Sequence, residues 1–183
     1  RCILLLLQLC YETMEKVYRI YYNKKWVGTT VYLKNKNQSS IKTNLNDYCK
    51  NINFNIITQN SLKCNIVQEL GKNNIKTEII RNGNEIIIQG LKKYIATSCV
   101  YVYEEIMFSL YHILKDISDG TISELLVLDD SYNAINTFRI LKRNNKKYNL
   151  VSPIPASIVY DKSGNLISYN EGNRYIIVRE GEI

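Results

Sequence analysis

Tyr103–Ile117 reads YEEIMFSLYHILKDI, and this stretch sets the fold expected of the whole chain. Ile106, Leu110, Ile113, Leu114 and Ile117 recur at the spacing of one helix face, with Met107 and Tyr111 beside them. Glu104 and Glu105 suit the positive end of a helix dipole, and Gly120 follows the other end. The spacing predicts an amphipathic helix, the one long helix of the sequence. Its apolar stripe needs a surface to bury it, and nearly everything on either side reads as strand and turn.

Upstream, Lys76–Gln89 (KTEIIRNGNEIIIQ) sets Asn82-Gly83 between two Ile-rich arms. Asn-Gly supplies the positive φ angles of a type I′ turn, so this segment predicts a hairpin. Further back, Lys16–Tyr22 and Trp26–Lys34 flank the turn Asn23-Lys24-Lys25 as a second hairpin, and Gly28 inside it suggests a bulge or a close approach of another group. Ser39–Leu45, Asn53–Thr58 and Leu62–Leu70 are further strand candidates, with helix left open for residues 45–52. Downstream, Ile122–Leu128, Tyr132–Leu141 and Leu150–Val151 read as strands, and Pro153 and Pro155 mark an edge or a crossing. Ser157–Tyr160 and Leu166–Tyr169 flank the turn Asp161–Gly164, and Tyr175–Arg179 is the last strand. About nine or ten short strands around one helix make a sheet large enough to curl. The expected class is mainly β (α+β), a curved antiparallel sheet or half-open barrel around the amphipathic helix.

With 183 residues, 45% hydrophobic and 22% charged, the chain has globular composition. Disorder, collagen and coiled coil are excluded, and no apolar run reaches the length of a membrane-spanning helix. The net charge of +7 is unevenly spread. Residues 14–98 carry 14 basic and 5 acidic side chains, and residues 99–183 carry 9 and 11. The abundance of Ile, Asn, Lys and Tyr fits an AT-rich coding bias, so part of the basic surface reads as solvated face. Five cysteines without a C-x-x-C pair, and one histidine, give no zinc spacing. They read as buried thiols, with a Cys49–Cys64 disulfide left open for an exported protein. Residues 1–13 (RCILLLLQLCYET) differ from the rest. They read as the remnant of an export signal, as an extension before a natural start at Met14, or as an apolar element packed on the domain. Residues 14–183 read as a single β-rich domain, in the envelope or secreted under the first reading and cytoplasmic otherwise.

Two segments carry a family resemblance. Tyr18–Lys34 (YRIYYNKKWVGTTVYLK) is similar to a pattern of strand, short basic turn, hydrophobic residue, Gly and polar strand. Ser157–Glu180 (SIVYDKSGNLISYNEGNRYIIVRE) is similar to a strand ending in Asp, a turn with Gly, and a last strand ending in Arg. Together they resemble an uncharacterised bacterial envelope family with a curved β half-barrel, similar to the sheet domain preceding some transglutaminase-like domains and to Lol-type lipoprotein carriers. The resemblance implies a role in holding a hydrophobic ligand or another protein, and it brings no catalytic residue.

The chemistry-bearing residues agree with a non-catalytic reading. His112 stands one helical turn before Asp116, but no nucleophile motif accompanies it and nothing aligns Cys99 with it. Asp129-Asp130 could join Asp119 or Glu124 around a cation, although adjacent acids more commonly make a turn. No phosphate-cradling loop is present and no cofactor is implied. Trp26, Tyr32, Met107, Phe108 and Tyr111 are the candidate lining of a site for a small hydrophobic ligand, or else plain core. The alternative is nucleic acid held by Lys24, Lys25, Lys34 and Lys36 among Tyr18, Tyr21, Tyr22, Trp26 and Tyr32 on a sheet face. Lys142, Arg143, Lys146 and Lys147 form a second basic cluster in the loop Leu141–Tyr148, which a solvated hairpin tip explains as well as a polyanion partner does.

Overall fold

The first hairpin settles which side of the sheet is inward. In β1 (Met14–Tyr22), alternation buries Tyr18 and Ile20 and exposes Arg19; in β2 (Lys25–Lys34) it buries Thr30 and Tyr32. The computed structural model describes residues 14–35, 39–46, 48–58, 61–70, 73–82, 85–88, 92–95, 99–102, 106–108, 110–128 and 135–182. The expected leader, residues 1–13, lies outside them. The chain continues as β3 (Ser39–Leu45), β4 (Tyr48–Thr58), β5 (Ser61–Leu70), β6 (Asn73–Asn82), β7 (Glu85–Ile88), β8 (Lys92–Ile95) and β9 (Cys99–Val102). A 3-10 turn (Ile106–Phe108) and a short helix, α1 (Leu110–Leu114), follow. Then come β10 (Ile122–Leu128), β11 (Ile135–Asn144), β12 (Lys147–Ser152), β13 (Ala156–Tyr160), β14 (Leu166–Asn170) and β15 (Tyr175–Arg179).

These fifteen strands form one sheet in the order β8-β7-β6-β5-β4-β3-β2-β1-β15-β14-β13-β12-β11-β10-β9. Neighbours are antiparallel except β9 and β10, which run parallel. β1 joins two meanders, pairing with β2 on one side and β15 on the other. The sheet is curved and unclosed, with β8 and β9 as its edges. Three residues, 96–98, connect those edges, and so short a link spans at most about 14 Å. Laid flat, fifteen strands would extend roughly 70 Å. The two edges therefore lie close together at one end, and the sheet is bent back on itself.

The strand number exceeds the about nine or ten suggested by pattern, partly because β8 and β9 are four residues each and too short for alternation to register. Of residues 45–52, left open to helix, Leu45 ends β3 and residues 48–52 lie in β4. The Asn-Gly hairpin forms, but Asn82 pairs with Glu85, so Asn82 closes β6 and the turn residues 83–84 lie outside the described set. The basic segment Lys142–Lys147 is no loop: it is the β11–β12 hairpin, whose turn is held by Asn144 Oδ1 accepting the Lys146 and Lys147 amides.

One apolar row crosses five strands in register: Ile20, Ile177, Tyr169, Ile158 and Tyr148, all buried. Fully burying an aliphatic side chain contributes about 1.5–3 kcal/mol, so such rows hold the meanders together. Gly28 fulfils both expectations placed on it. Ile20 pairs with Gly28 and Tyr21 with Trp26, leaving Val27 as the bulged residue. A Cβ on Gly28 would sit 2.0 Å from the Asn44 carbonyl oxygen of β3.

Among the described residues, the long helix expected over Tyr103–Ile117 does not appear. A 3-10 turn and a five-residue helix stand in its place. The break has a cause: the buried Tyr160 hydroxyl receives the Tyr111 amide and donates to the Met107 carbonyl, the two groups that an unbroken helix would pair with each other. The other end is stopped by Lys142. Its Nζ donates to the Lys115 carbonyl at 2.8 Å and the Ile117 carbonyl at 2.5 Å, and lies 3.6 Å from Asp119 Oδ1. This cation satisfies carbonyls that the helix end leaves unpaired. Lys142, expected on a solvated tip, is thus buried. The segment between β9 and β10 is the crossover that a parallel pair requires. Its Met107, Phe108, Leu110 and Leu114 are buried with the inward residues of the sheet.

A Cys49–Cys64 disulfide is excluded. Cys49 carries a free thiol and pairs with Glu69, whereas Cys64 pairs with Phe54. That register separates them by about 17 Å along the ladder, far beyond the roughly 7 Å that a bridge allows between Cα atoms.

Candidate functional site

Three of the five aromatic and apolar candidates meet in the interior. The Phe108 ring packs edge-on against Tyr18, centroids 4.8 Å apart, and stacks on Tyr32 at 5.6 Å. Met107 is buried beside them. Strand alternation brings Tyr18 and Tyr32 inward, and the 3-10 turn of the crossover delivers Phe108 between them. Tyr18 donates its hydroxyl to the Leu166 carbonyl at 2.7 Å, and burial raises its pKa well above the usual phenol range. On the same face Thr30 and Thr43 share a hydrogen bond of 2.8 Å.

Tyr111 belongs to a second aromatic group. Its ring lies 5.5 Å from that of Tyr160, which in turn meets Tyr148 edge-on at 5.7 Å. Gly164, at φ +80°, makes room for it, since a Cβ there would lie 2.3 Å from the Tyr111 ring. The Tyr148 hydroxyl is buried with no hydrogen-bond partner among the described residues, and burial, with Tyr111, Asp119 and Asp116 nearby, pushes its pKa up to about 12. Trp26 stands apart from all of these. It is 63% exposed at the end of the β1–β2 hairpin.

The described lysines of the nucleic-acid alternative are not gathered in one place. Lys24 and Lys25 are exposed in and beside the first turn, whereas Lys34 is half-buried at the far end of β2, about 30 Å along the strand. Lys36 lies outside the described residues. The turn instead acquires Arg174, because the Asn23 amide donates to the Arg174 carbonyl at 2.9 Å. The β1–β15 pairing joins residues near opposite ends of the chain, so local pattern could not reveal this neighbour.

Asp161 and Arg179, the Asp and Arg of the closing motif, form an ion pair of 2.6 Å, and Arg179 also reaches Glu182 at 2.5 Å. Burial pushes the Asp161 carboxyl up, but Arg179 and the Asn165 and Ser163 amides outweigh it and hold its pKa below the usual value. Here the motif is a structural clasp across β14. Asp119 and Glu124, considered as cation ligands, face Lys142 and Arg139. Asp129 and Asp130 lie outside the described residues, as do the side chains of His112 and Cys99. Among the described residues no group of three metal-ligating side chains occurs, and no helix is long and apolar enough to cross a membrane.

No protein-family model and no curated protein matches the chain. Two solved structures share its fold. A DUF1089-family protein from Pseudomonas aeruginosa is 12% identical, with TM-score 0.60 over 79% of this chain and 89% of its own. A β-barrel-like protein of the domain of unknown function DUF1849 from Brucella abortus is 6% identical, with TM-score 0.55 over 91% and 94%. The likeness is one of fold, to barrel-like β proteins for which no catalytic family is indicated.

Proposed function

We propose that the chain is a non-catalytic binding domain that holds a hydrophobic molecule, or the apolar segment of a partner protein, inside its curled sheet. One observation carries this reading: the number of strands that the bend encloses. Around eight strands enclose a space that inward side chains fill by themselves, and larger barrels leave room. Fifteen strands bent back on themselves exceed that limit, and the crossover through Met107, Phe108 and Leu114 occupies part of the space. Tyr32 and Phe108 give the interior aromatic walls, and Tyr111, half-buried, stands at its border. The resemblance of Tyr18–Lys34 and Ser157–Glu180 to envelope proteins supports placing this activity in the cell envelope.

The test is titration with a fluorescent long-chain fatty acid. A saturable rise in emission, reversed by unlabelled lipid and accompanied by a higher melting temperature, is the expected result. Non-saturable emission with an unchanged melting temperature across a panel of lipids would remove the ligand reading.

A further inference from the structure

Among the described residues, four large hydrophobic side chains are prominently exposed: Tyr22, Trp26, Ile122 and Val151. Three of them share one end of the sheet. Tyr22 pairs with Lys25 and Tyr175, Trp26 with Tyr21, and the register through Asn170, Ser157 and Leu150 brings Val151 to the same end. Ile122 starts β10 and lies at the opposite end. Lys24, Lys25 and Arg174 are exposed at this end too. None of the three enters an ion pair among the described residues. The acid in these turns, Glu171, receives the Tyr169 hydroxyl. The Asn23 amide on the Arg174 carbonyl holds the two turns side by side.

The first turn is also strained in an informative way. Asn23 and Lys24 have φ of 48° and 66°, the two positive values of a type I′ turn. Glycine is the ordinary second residue there, and a lysine adopts this backbone at a cost. The lysine is seated where its side chain adds nothing to the core and extends the charge of the rim.

We propose that this rim is a docking surface for a bilayer rich in anionic lipid. Tryptophan and tyrosine settle at the headgroup level, with the apolar ring toward the acyl chains and the polar tip in water. Lysine and arginine beside them draw the rim toward negative headgroups, over a range set by salt. The arrangement is a line of turn tips with aromatics at its edge, which suits a plane. A groove tracking a single strand would instead need aromatics and cations spread along a sheet face.

Trp26 is the sole tryptophan of the chain, so its fluorescence reads the rim directly. The full chain is titrated with phosphatidylcholine vesicles, with and without phosphatidylglycerol, and separately with single-stranded DNA. The expected result is a blue shift of emission with the anionic vesicles that weakens as salt rises, and none with pure phosphatidylcholine or with DNA. Reversing both charges (Lys24→Glu with Lys25→Glu) is expected to lower partitioning about tenfold or more. Lys24→Gly supplies the control for folding. It relieves the turn, so the melting temperature is expected to rise while partitioning falls several-fold. No blue shift with anionic vesicles, an equal shift with DNA, or unchanged partitioning in Lys24→Gly would each overturn the proposal.

Discussion

Two buried tyrosines on neighbouring strands, Tyr148 and Tyr160, test opposite sides of the same rule. The Tyr160 hydroxyl bridges the Met107 carbonyl and the Tyr111 amide, and the Tyr148 hydroxyl has no partner among the described residues. A buried polar group stabilises the fold when paired and costs free energy when left alone. Tyr160→Phe is therefore expected to destabilise by about 1–2 kcal/mol. Tyr148→Phe, losing an unpaired hydroxyl at nearly constant volume, is expected to be neutral or stabilising. Denaturant unfolding of the two variants checks the contrast, and equal losses would refute it. Asp161 gives a pH prediction at the same scale. An unfolded Asp ionises near 3.9, and in the fold Arg179 and two amides hold it lower. Its contribution is thus complete above about pH 4 and is lost as pH falls through the folded value. Asp161→Asn is expected to cost about 1–2 kcal/mol at neutral pH, and the gap to the parent should close in acid melts. Of these residues the sequence singles out Asp161 and Arg179, which close a strand–turn–strand segment. It does not mark Tyr160 as a helix breaker, because that role depends on a contact fifty-three residues away.

Among elements, the hairpins are legible and the helix is not. Strand alternation and turn residues are local signals, and Gly28 announces its bulge because no side chain fits beside the Asn44 carbonyl. Gly28→Ala forces β2 and β3 apart and is expected to cost about 1–3 kcal/mol. A two-dimensional amide spectrum should then place the largest shifts at Asn44 and Leu45. The helix fails for the opposite reason. Its apolar spacing predicts burial, and Met107, Leu110 and Leu114 of that stripe are indeed buried. Burial does not require helical continuity, however. Tyr160 and Lys142 take over backbone groups at the two ends, so the segment exchanges helix bonds for bonds to the sheet. The candidate site shows the same division. Tyr32, Met107 and Phe108 come together in the interior, but Trp26 is carried outward by the bulge and the end of its strand.

At the scale of the molecule, the sequence reveals a curved β sheet but not how it is joined. β1 and β15 are central neighbours in the sheet and lie at opposite ends of the chain, whereas β8 and β9 are opposite edges of the sheet and adjacent in the chain. Every other antiparallel neighbour pair is sequential. Folding must therefore close one very long loop before β1 and β15 can pair, and long-range pairing of this kind is slow. A circular permutant removes that step. Linking the end of β15 directly to the start of β1 makes the two sequential, and opening the chain between β8 and β9 places the new termini at the two edges. The permutant is expected to keep the far-ultraviolet dichroism of the parent and to refold about tenfold faster or more. Its edges, no longer linked, are free to part. If the link is what bends the sheet, the permutant should be larger in solution scattering and bind the fluorescent fatty acid more weakly. A permutant equal to the parent in size and binding would place the cause of the curvature in the strands and the crossover packed among them.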